Sequence, residues 1–307
     1  MSKFKGTYVF KQNGVEIGRS SNLITSNGRK MILEYLCNAR QDWASDMSIG
    51  AINTTPSLTD TQLNFETARY QVSLKTFISA TTTDPDLIVI RSVLPIDLSA
   101  NIYEIGLYAI SNNSSSASTR NNIILSDFSD LSYWATTAGT ITTNAFVPQG
   151  YSSPRIGSNS INFSPSTTYL GSNLSIPFSN YSSLDSLQLL VSNTTAGTVN
   201  VTLTDASGKT QTISFTATLN TGYSVLSTQF DLTTTGSNYT SIINFNNITG
   251  ISIATDSTAS LTLDAIKVSS ASEIATQETL VSKSVLTNPI AKMPSVPLDI
   301  EYYVELL

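Results

Sequence analysis

The chain has 307 residues, of which only 12% are charged, with 16 basic against 22 acidic side chains, a net charge of −6 and a pI near 4.6. Phosphate neutralisation needs clustered Lys and Arg, and no basic cluster is present, so the expectation excludes nucleic acid as a partner. The sequence holds no His, which rules out Ser-His-Asp and Cys-His sites, and its single cysteine, Cys37, cannot form an intrachain disulfide.

Cores stop growing below this length and chains then divide into units of ~100 to 200 residues, so two domains are expected. Ser, Thr and Asn stand where charges ordinarily would, a composition that suits rigid β-structure with a neutral polar surface. The opening Met1-Ser2-Lys3-Phe4-Lys5-Gly6 lacks the apolar core of a secretory signal, and no later stretch approaches the ~20 apolar residues of a membrane span. The expectation is a chain made in the cytosol, with no membrane partner, released by a route other than classical secretion.

Residues 4–19 alternate as strands do and break at Asn13-Gly14, a strong hairpin-turn signal. The segment Ser26 to Leu36 then places Met31, Ile32, Tyr35 and Leu36 on one helical face behind a Ser or Asn cap. Strand patterns return at Met47 to Ile52, Tyr70 to Thr81, Leu87 to Ile96 and Ile102 to Ile110, with turns at Thr55-Pro56 and Asp84-Pro85. The polar run 112–119 reads as a linker, because so little apolar side chain cannot offset the entropy of ordering it.

Residues 120–269 are charge-poor and consist of short β-runs separated by Gly, Asn, Ser and Pro, a spacing that predicts a sandwich. Clear runs are Ser186 to Val191, Thr198 to Thr204, Thr210 to Leu219, Ser224 to Leu232, Gly250 to Ala254 and Ser260 to Val268, with a turn at Asp205-Ala206-Ser207-Gly208. A second polar junction, Ser269-Ser270-Ala271-Ser272, closes the block, and Thr279 to Leu286 and Leu298 to Leu307 resume the character of residues 1–111. Two strands are marginal alone, so they are expected to complete the N-terminal sheet. The predicted organisation is all-β with one short helix. A discontinuous β-sandwich, 1–111 plus 273–307, is interrupted by a jelly-roll β-sandwich at 120–269 whose junctions lie close together.

The outer domain resembles a domain of bacteriophage tail-fibre and baseplate proteins. The likeness rests on Asn22-Leu23-Ile24-Thr25-Ser26-Asn27-Gly28-Arg29, on Ser48-Ile49-Gly50 with Thr54-Thr55-Pro56, on Tyr103-Glu104-Ile105-Gly106-Leu107-Tyr108, and on Ile290-Ala291-Lys292 followed by Leu298-Asp299-Ile300-Glu301-Tyr302. It implies a virion protein freed by lysis, with other virion proteins as partners and a homo-oligomer, a trimer by analogy with fibres. Residues 120–269 resemble carbohydrate-binding-module jelly rolls through Leu125-Ser126-Asp127-Phe128 with Trp134, through Val199 to Gly208, and through Leu261 to Val268. Such modules bind glycans or serve as contacts between neighbours, and fold alone does not decide.

The reading of the chemistry is binding without catalysis. Paired carboxylates remain the one hydrolytic option, and Asp127 with Asp130 is better explained as turn residues. A glycan face would draw on exposed rings: Trp134, Tyr151 and Tyr239 are the candidates, Tyr133, Tyr169, Tyr181 and Tyr223 being further rings, and core packing is the competing account of each. The resemblance also implies a structural calcium held by Asp264 with Asp127, against the plainer reading of Asp264 as the cap of a loop. No other cofactor is expected. Glu104 is expected to pair with Arg69 or Arg91, and Gly106 to admit a neighbouring backbone. The functional expectation is a tail-fibre or baseplate-associated virion protein whose jelly roll makes subunit contacts or binds host-surface glycan; the alternatives are a capsid decoration or head-fibre protein and a glycan depolymerase.

Overall fold

The computed structural model describes residues 4–79, 86–110, 122–137, 140–150, 153–164, 168–176, 185–192, 194–230, 243–244, 247–256, 258–269 and 278–306. Its first stretch holds β1 (Phe4–Gln12), β2 (Val15–Ser21), β3 (Leu23–Ile24), α1 (Ser26–Leu36), β4 (Asp46–Gly50), β5 (Glu66–Gln71), β6 (Leu74–Ile78), β7 (Leu87–Leu94) and β8 (Ala100–Ile110). The middle holds β9 (Asn122–Ser126), β10 (Trp134–Thr136), β11 (Thr142–Ala145), β12 (Asn159–Phe163), β13 (Thr168–Ile176), β14 (Ser186–Ser192), β15 (Gly197–Asp205), β16 (Thr210–Ala217), β17 (Ser224–Gln229), β18 (Ile248–Thr255) and β19 (Leu261–Ser269). The last strands are β20 (Glu278–Lys292) and β21 (Leu298–Leu306). The linker 112–119, the Asp84-Pro85 turn and residues 270–272 of the second junction lie outside the described residues.

The fold is all-β apart from α1 among the described residues: a discontinuous β-sandwich and an inserted jelly-roll β-sandwich. One compact unit comprises Met1–Ala117, Val147–Tyr151 and Ala275–Leu307, the other Ser118–Phe146 and Ser152–Ile274. Segment 147–151 therefore goes with the first unit, a departure from the expected boundaries. It is tied there by the Asn101 side chain, which donates to the Val147 carbonyl (3.3 Å) and accepts from the Gln149 amide (2.9 Å).

In the first unit two antiparallel sheets, β2-β1-β21-β7-β6 and β3-β20-β8-β4-β5, face one another. Alternation aims Tyr8 and Phe10 of β1 and Ile300, Tyr302 and Val304 of β21 at Met47 and Ile49 of β4 and Ile105 and Leu107 of β8. The Asn13-Gly14 turn has φ of 50° and 78°, the two left-handed residues of a type I′ hairpin. The run expected as one strand over Tyr70 to Thr81 is instead two, β5 and β6, in different sheets. The closing strands also do more than complete one sheet, since β21 lies in the middle of the first sheet and β20 is an interior strand of the second.

Helix α1 is capped by Thr25, whose Oγ1 accepts from the Gly28 amide at 2.9 Å, and not by Ser or Asn. Met31 and Ile32 are buried, whereas Tyr35 and Leu36 are exposed. The reason is the approach of α1 to β20: a Cβ on Gly28 would lie 2.0 Å from the Val281 carbonyl oxygen. Gly28, and not Gly106, is thus a glycine that admits a neighbouring backbone, the atoms nearest Gly106 being side chains of Leu280, Leu63 and Tyr108.

The second unit pairs β10-β13-β18-β15-β16 against β11-β12-β19-β14-β17, with β9 also on β19. Val199, Val201 and Leu203 of β15 and Ile251 and Ile253 of β18 meet Leu187, Leu189 and Val191 of β14 and Leu261, Leu263, Ile266 and Val268 of β19. Strands β14 and β19 are buried on both faces, so one outer face of this sandwich is covered by chain. That cover includes residues 153–157, all of them buried.

Candidate functional site

The covered face is organised around Asp264. In the β14–β19 ladder Leu190 pairs with Ala265 and Val191 with Leu263, leaving Asp264 as the extra residue of a β-bulge. The bulge switches the inward set from Leu261 and Leu263 to Ile266 and Val268 and turns Asp264 away from the core. Asp264 is nevertheless fully buried, because the Arg155 and Ile156 segment lies over it. Its Oδ2 accepts from the Arg155 amide at 2.6 Å, while Oδ1 has no hydrogen-bond partner among the described residues. Burial pushes this carboxyl well above the usual carboxylate range; the Arg155 and Ile156 amides and the Arg155 charge pull against that, and the like charge of Asp127 adds to it. Arg155 itself stacks on Tyr223, its guanidinium carbon 4.4 Å from the ring centroid, and the Tyr223 hydroxyl donates to the Ser153 carbonyl at 2.9 Å.

Asp127 stands beside this corner. A Cβ on Gly157, whose φ is +71°, would lie 2.6 Å from the Asp127 carbonyl oxygen and 2.9 Å from its carboxyl carbon. Phe128 is also left-handed, at φ 54°, an uncommon state for a bulky residue. The Asp127 carboxylate accepts from the amide and hydroxyl of Ser129, and Asp130 accepts from the Ser132 amide, so both act as turn residues. A calcium at this corner would draw on Asp264 Oδ1, which has no hydrogen-bond partner among the described residues, and on Asp127, whose charge acts on the same carboxyl. It would neutralise a buried charge and clamp the 155–157 loop, with no chemistry beyond that. No group of three or more His, Cys, Asp or Glu gathers among the described residues, so the rest of its six to eight oxygens would be carbonyls and water. Asp264 also caps the loop, as the plainer reading holds.

Of the three expected sugar-stacking rings, Trp134 alone lies among the described residues. Trp134 is 7% exposed, tilted against Phe128 with ring centroids 5.0 Å apart, and a Cβ on its ladder partner Gly171 would lie 3.2 Å from the indole. It is a core residue, because an indole opposite a glycine fills the space the glycine leaves. Tyr151, Tyr239 and Tyr181 and the side chain of Tyr169 lie outside the described residues. Tyr133 is exposed.

What sequence reasoning missed is the other outer face, that of β13-β18-β15-β16. Its outward positions are Thr168 and Leu170, Gly250, Ser252 and Ala254, Asn200, Thr202 and Thr204, and Thr212 and Ser214, all uncharged. Cross-strand hydrogen bonds join Thr202 to Thr212 (2.7 Å) and Asn200 to Ser214 (2.6 Å). The signal was present in the alternation of Thr and Asn with Val and Leu over Thr198 to Thr204, read for the buried half only.

Glu104, expected to pair with Arg69 or Arg91, pairs with neither. Arg69 binds Glu66 (2.7 Å) and stacks on Tyr108, and Arg91 binds Asp299 (2.8 Å). Glu104 instead meets Lys283 and the Asn64 and Phe65 amides, because the loop between β4 and β5 folds over its face of the sheet.

The inserted unit is a β-sandwich of two facing antiparallel sheets. No protein-family model matches the chain, and no curated protein matches it. Among solved structures it is similar to a family 11 carbohydrate-binding module from Clostridium thermocellum in complex with a β-1,3-1,4-mixed-linked tetrasaccharide, at 14% identity, with 50% of this chain and 98% of that one covered and a TM-score of 0.33. An exo-β-agarase matches at 12% identity and a TM-score of 0.35 over 49% of this chain, which spans only 26% of the agarase. The enzymatically active domain of tailspike protein 4 of bacteriophage CBA120 matches at 14% identity and a TM-score of 0.32, with 47% of this chain and 20% of that one covered. These are likenesses of fold over about half of this chain and carry no activity to it.

Proposed function

We propose that the chain is a non-enzymatic bacteriophage virion protein, a tail-fibre or baseplate-associated component. Its discontinuous domain joins the particle, and its inserted jelly roll binds a host-surface glycan through the uncharged face of β13-β18-β15-β16. The observation that carries the binding reading is that face. Hydroxyls and amides with no charge suit a polyhydroxylated neutral ligand, which offers many weak donors and acceptors and no ion to pair. The motifs Asn22 to Arg29 and Tyr103 to Tyr108 support the virion part, and edge strand β6 supports docking: Leu74, Phe77 and Ile78 are exposed on a strand whose one ladder partner among the described residues is β7.

Two experiments test this. Retention on immobilised host polysaccharide is expected for the wild type and lost in Thr202→Arg, which plants a long cation in the face; equal retention of the two would sink the glycan reading. Cryo-electron microscopy of the intact particle is expected to show the chain at the tail, and density on the capsid lattice would make it a decoration protein instead.

A further inference from the structure

The loop between β4 and β5, β8 and β20 bring together three charged side chains that the binding reading does not use. Lys283 is 1% exposed, and its Nζ lies 3.2 Å from Asp60 Oδ2 and 3.4 Å from Glu104 Oε2. In the β20–β8 ladder Lys283 pairs with Gly106 and Val285 with Glu104, so Lys283 and Glu104 are diagonal neighbours on the face turned from the core. Gly50, opposite Glu104 in the β4–β8 ladder, leaves room for the acid: a Cβ there would lie 2.5 Å from Glu104 Oε1. The loop carrying Asp60 is pinned at several points. The Ser26 amide donates to the Leu58 carbonyl (2.9 Å), the Leu63 amide to the Tyr108 hydroxyl (3.0 Å), and the Phe65 and Asn64 amides to Glu104 Oε1 (2.9 Å) and Oε2 (3.0 Å).

We propose that Lys283 and Asp60 condense into an intramolecular isopeptide bond, with Glu104 as the acid and base of the step. The arrangement has the three parts the reaction needs. It has an amine shut off from water, a carboxyl held against it, and a second carboxyl in contact with the amine to move protons. Burial pushes the Glu104 carboxyl up against the opposing pull of Lys283 and the two amides, which suits it to take a proton from the Lys283 ammonium and release it again. The Lys283 nitrogen then attacks Asp60 Cγ, the N–C bond forms, and Glu104 relays a second proton from that nitrogen as well, so that one Asp60 oxygen receives both and departs as water while its C–O bond breaks. The ammonium and carboxylate together become a secondary amide and one water, charge is conserved, and Glu104 ends as it began. Asp60 is the partly exposed member of the three, with 24% of its side chain accessible, so the water has a way out. Closure of the cover over Lys283 and Glu104 then opposes hydrolysis.

The bond would join the loop after β4 to the strand on which the chain re-enters the first unit, locking the two halves of the discontinuous domain. The test is the mass of the intact chain, purified and denatured, with allowance for the initiator methionine. The wild type is expected to be lighter than its sequence by one water, and digestion to yield a branched peptide joining residues 60 and 283. Lys283→Arg, which keeps the cation, and Asp60→Ala, in the exposed loop, are each expected to show their full sequence masses while still melting cooperatively. A wild-type chain at its full sequence mass overturns the proposal, and a branch at Glu104 overturns the assignment of roles.

Discussion

Among the described residues each sandwich buries one acid completely on the face of a central strand turned away from its core, and the two are treated differently. Glu104 of the first unit has an amine in contact and an amide on each oxygen. Asp264 of the second has amides and the Arg155 charge on one side, one bare oxygen, and the like charge of Asp127 beside it. Burial pushes both carboxyls up. The difference teaches that burial alone does not set the role of an acid; the nearest countercharge does. Where a cation touches the carboxylate, the acid can lock a loop to a strand; at Asp264 the Arg155 charge acts without an ion-pair contact among the described residues, and one oxygen is left unmatched.

The largest effect expected from breaking this comparison is that of adding Lys283→Ala to the Asp60→Ala chain, in which Lys283 stays an uncondensed cation: it strips Glu104 of its countercharge and should destabilise the first unit by about 3–5 kcal/mol at neutral pH. Because the Glu104 pKa is raised, the loss should shrink as pH falls through it and the acid takes up a proton; denaturant titrations at neutral and acid pH measure both. Next comes calcium. At a hundredfold excess over its Kd a bound ion should stabilise the second unit by about 2.7 kcal/mol, raising the Tm of the wild type and leaving Asp264→Asn unmoved. Without calcium, the raised Asp264 pKa means that the native state holds a proton the unfolded chain has released. Stability of this unit should therefore fall as pH rises from about 4, the unfolded carboxylate value, to the folded one.

Asp205 supplies the contrast within the second unit. Desolvation raises its pKa, but the Asn244, Lys209 and Ser207 amides and the Ser207 hydroxyl outweigh it and hold the carboxyl down at about 2. Asp205→Ala should cost about 2 kcal/mol at neutral pH, a loss that fades as pH drops from about 4 through about 2, since a lowered pKa stabilises only while the group is ionised. The smallest thermodynamic effect is expected of Phe77→Asp on exposed β6, within about 0.5 kcal/mol in stability. Sedimentation should nevertheless show loss of self-association if β6 is the edge through which copies meet.

Much of this fold was legible because its strands alternate. Thr198 to Thr204, Ser186 to Val191 and Ser260 to Val268 were bounded to within a residue or two of β15, β14 and β19, and Asn13-Gly14 gave its turn outright. Strands such as Thr142 to Ala145 were not legible, since three polar residues and an alanine have no period to read. At the candidate site, Asp127 and Asp264 were named together and lie together, but their third party, Arg155, was not found. Arg155 reaches Asp264 by its backbone amide, and an amide has no residue signature. Trp134 was one of the candidate rings with core packing as its competing account, and the structure bears out the packing, because its ladder partner Gly171 makes the pocket for it. Lys283, Asp60 and Glu104 come from three separate parts of the chain, and no local pattern connects them.

The places of β20 and β21 in the sheets of the first unit carry a consequence for synthesis. A ribosome delivers residues 1–110 long before either strand exists, so each nascent sheet lacks an interior strand, and β1 and β7, β3 and β8 have no partner between them. Domains fold as units and from the N-terminus onward during translation. Here the order is reversed for the outer unit: the inserted sandwich is complete in sequence first, and the N-terminal strands must wait in an open state until the last segment emerges. Truncation just after β19 should therefore leave a folded second unit tethered to an unfolded, aggregation-prone N-terminal segment. Nascent chains stalled at that length, probed by limited proteolysis, would show it.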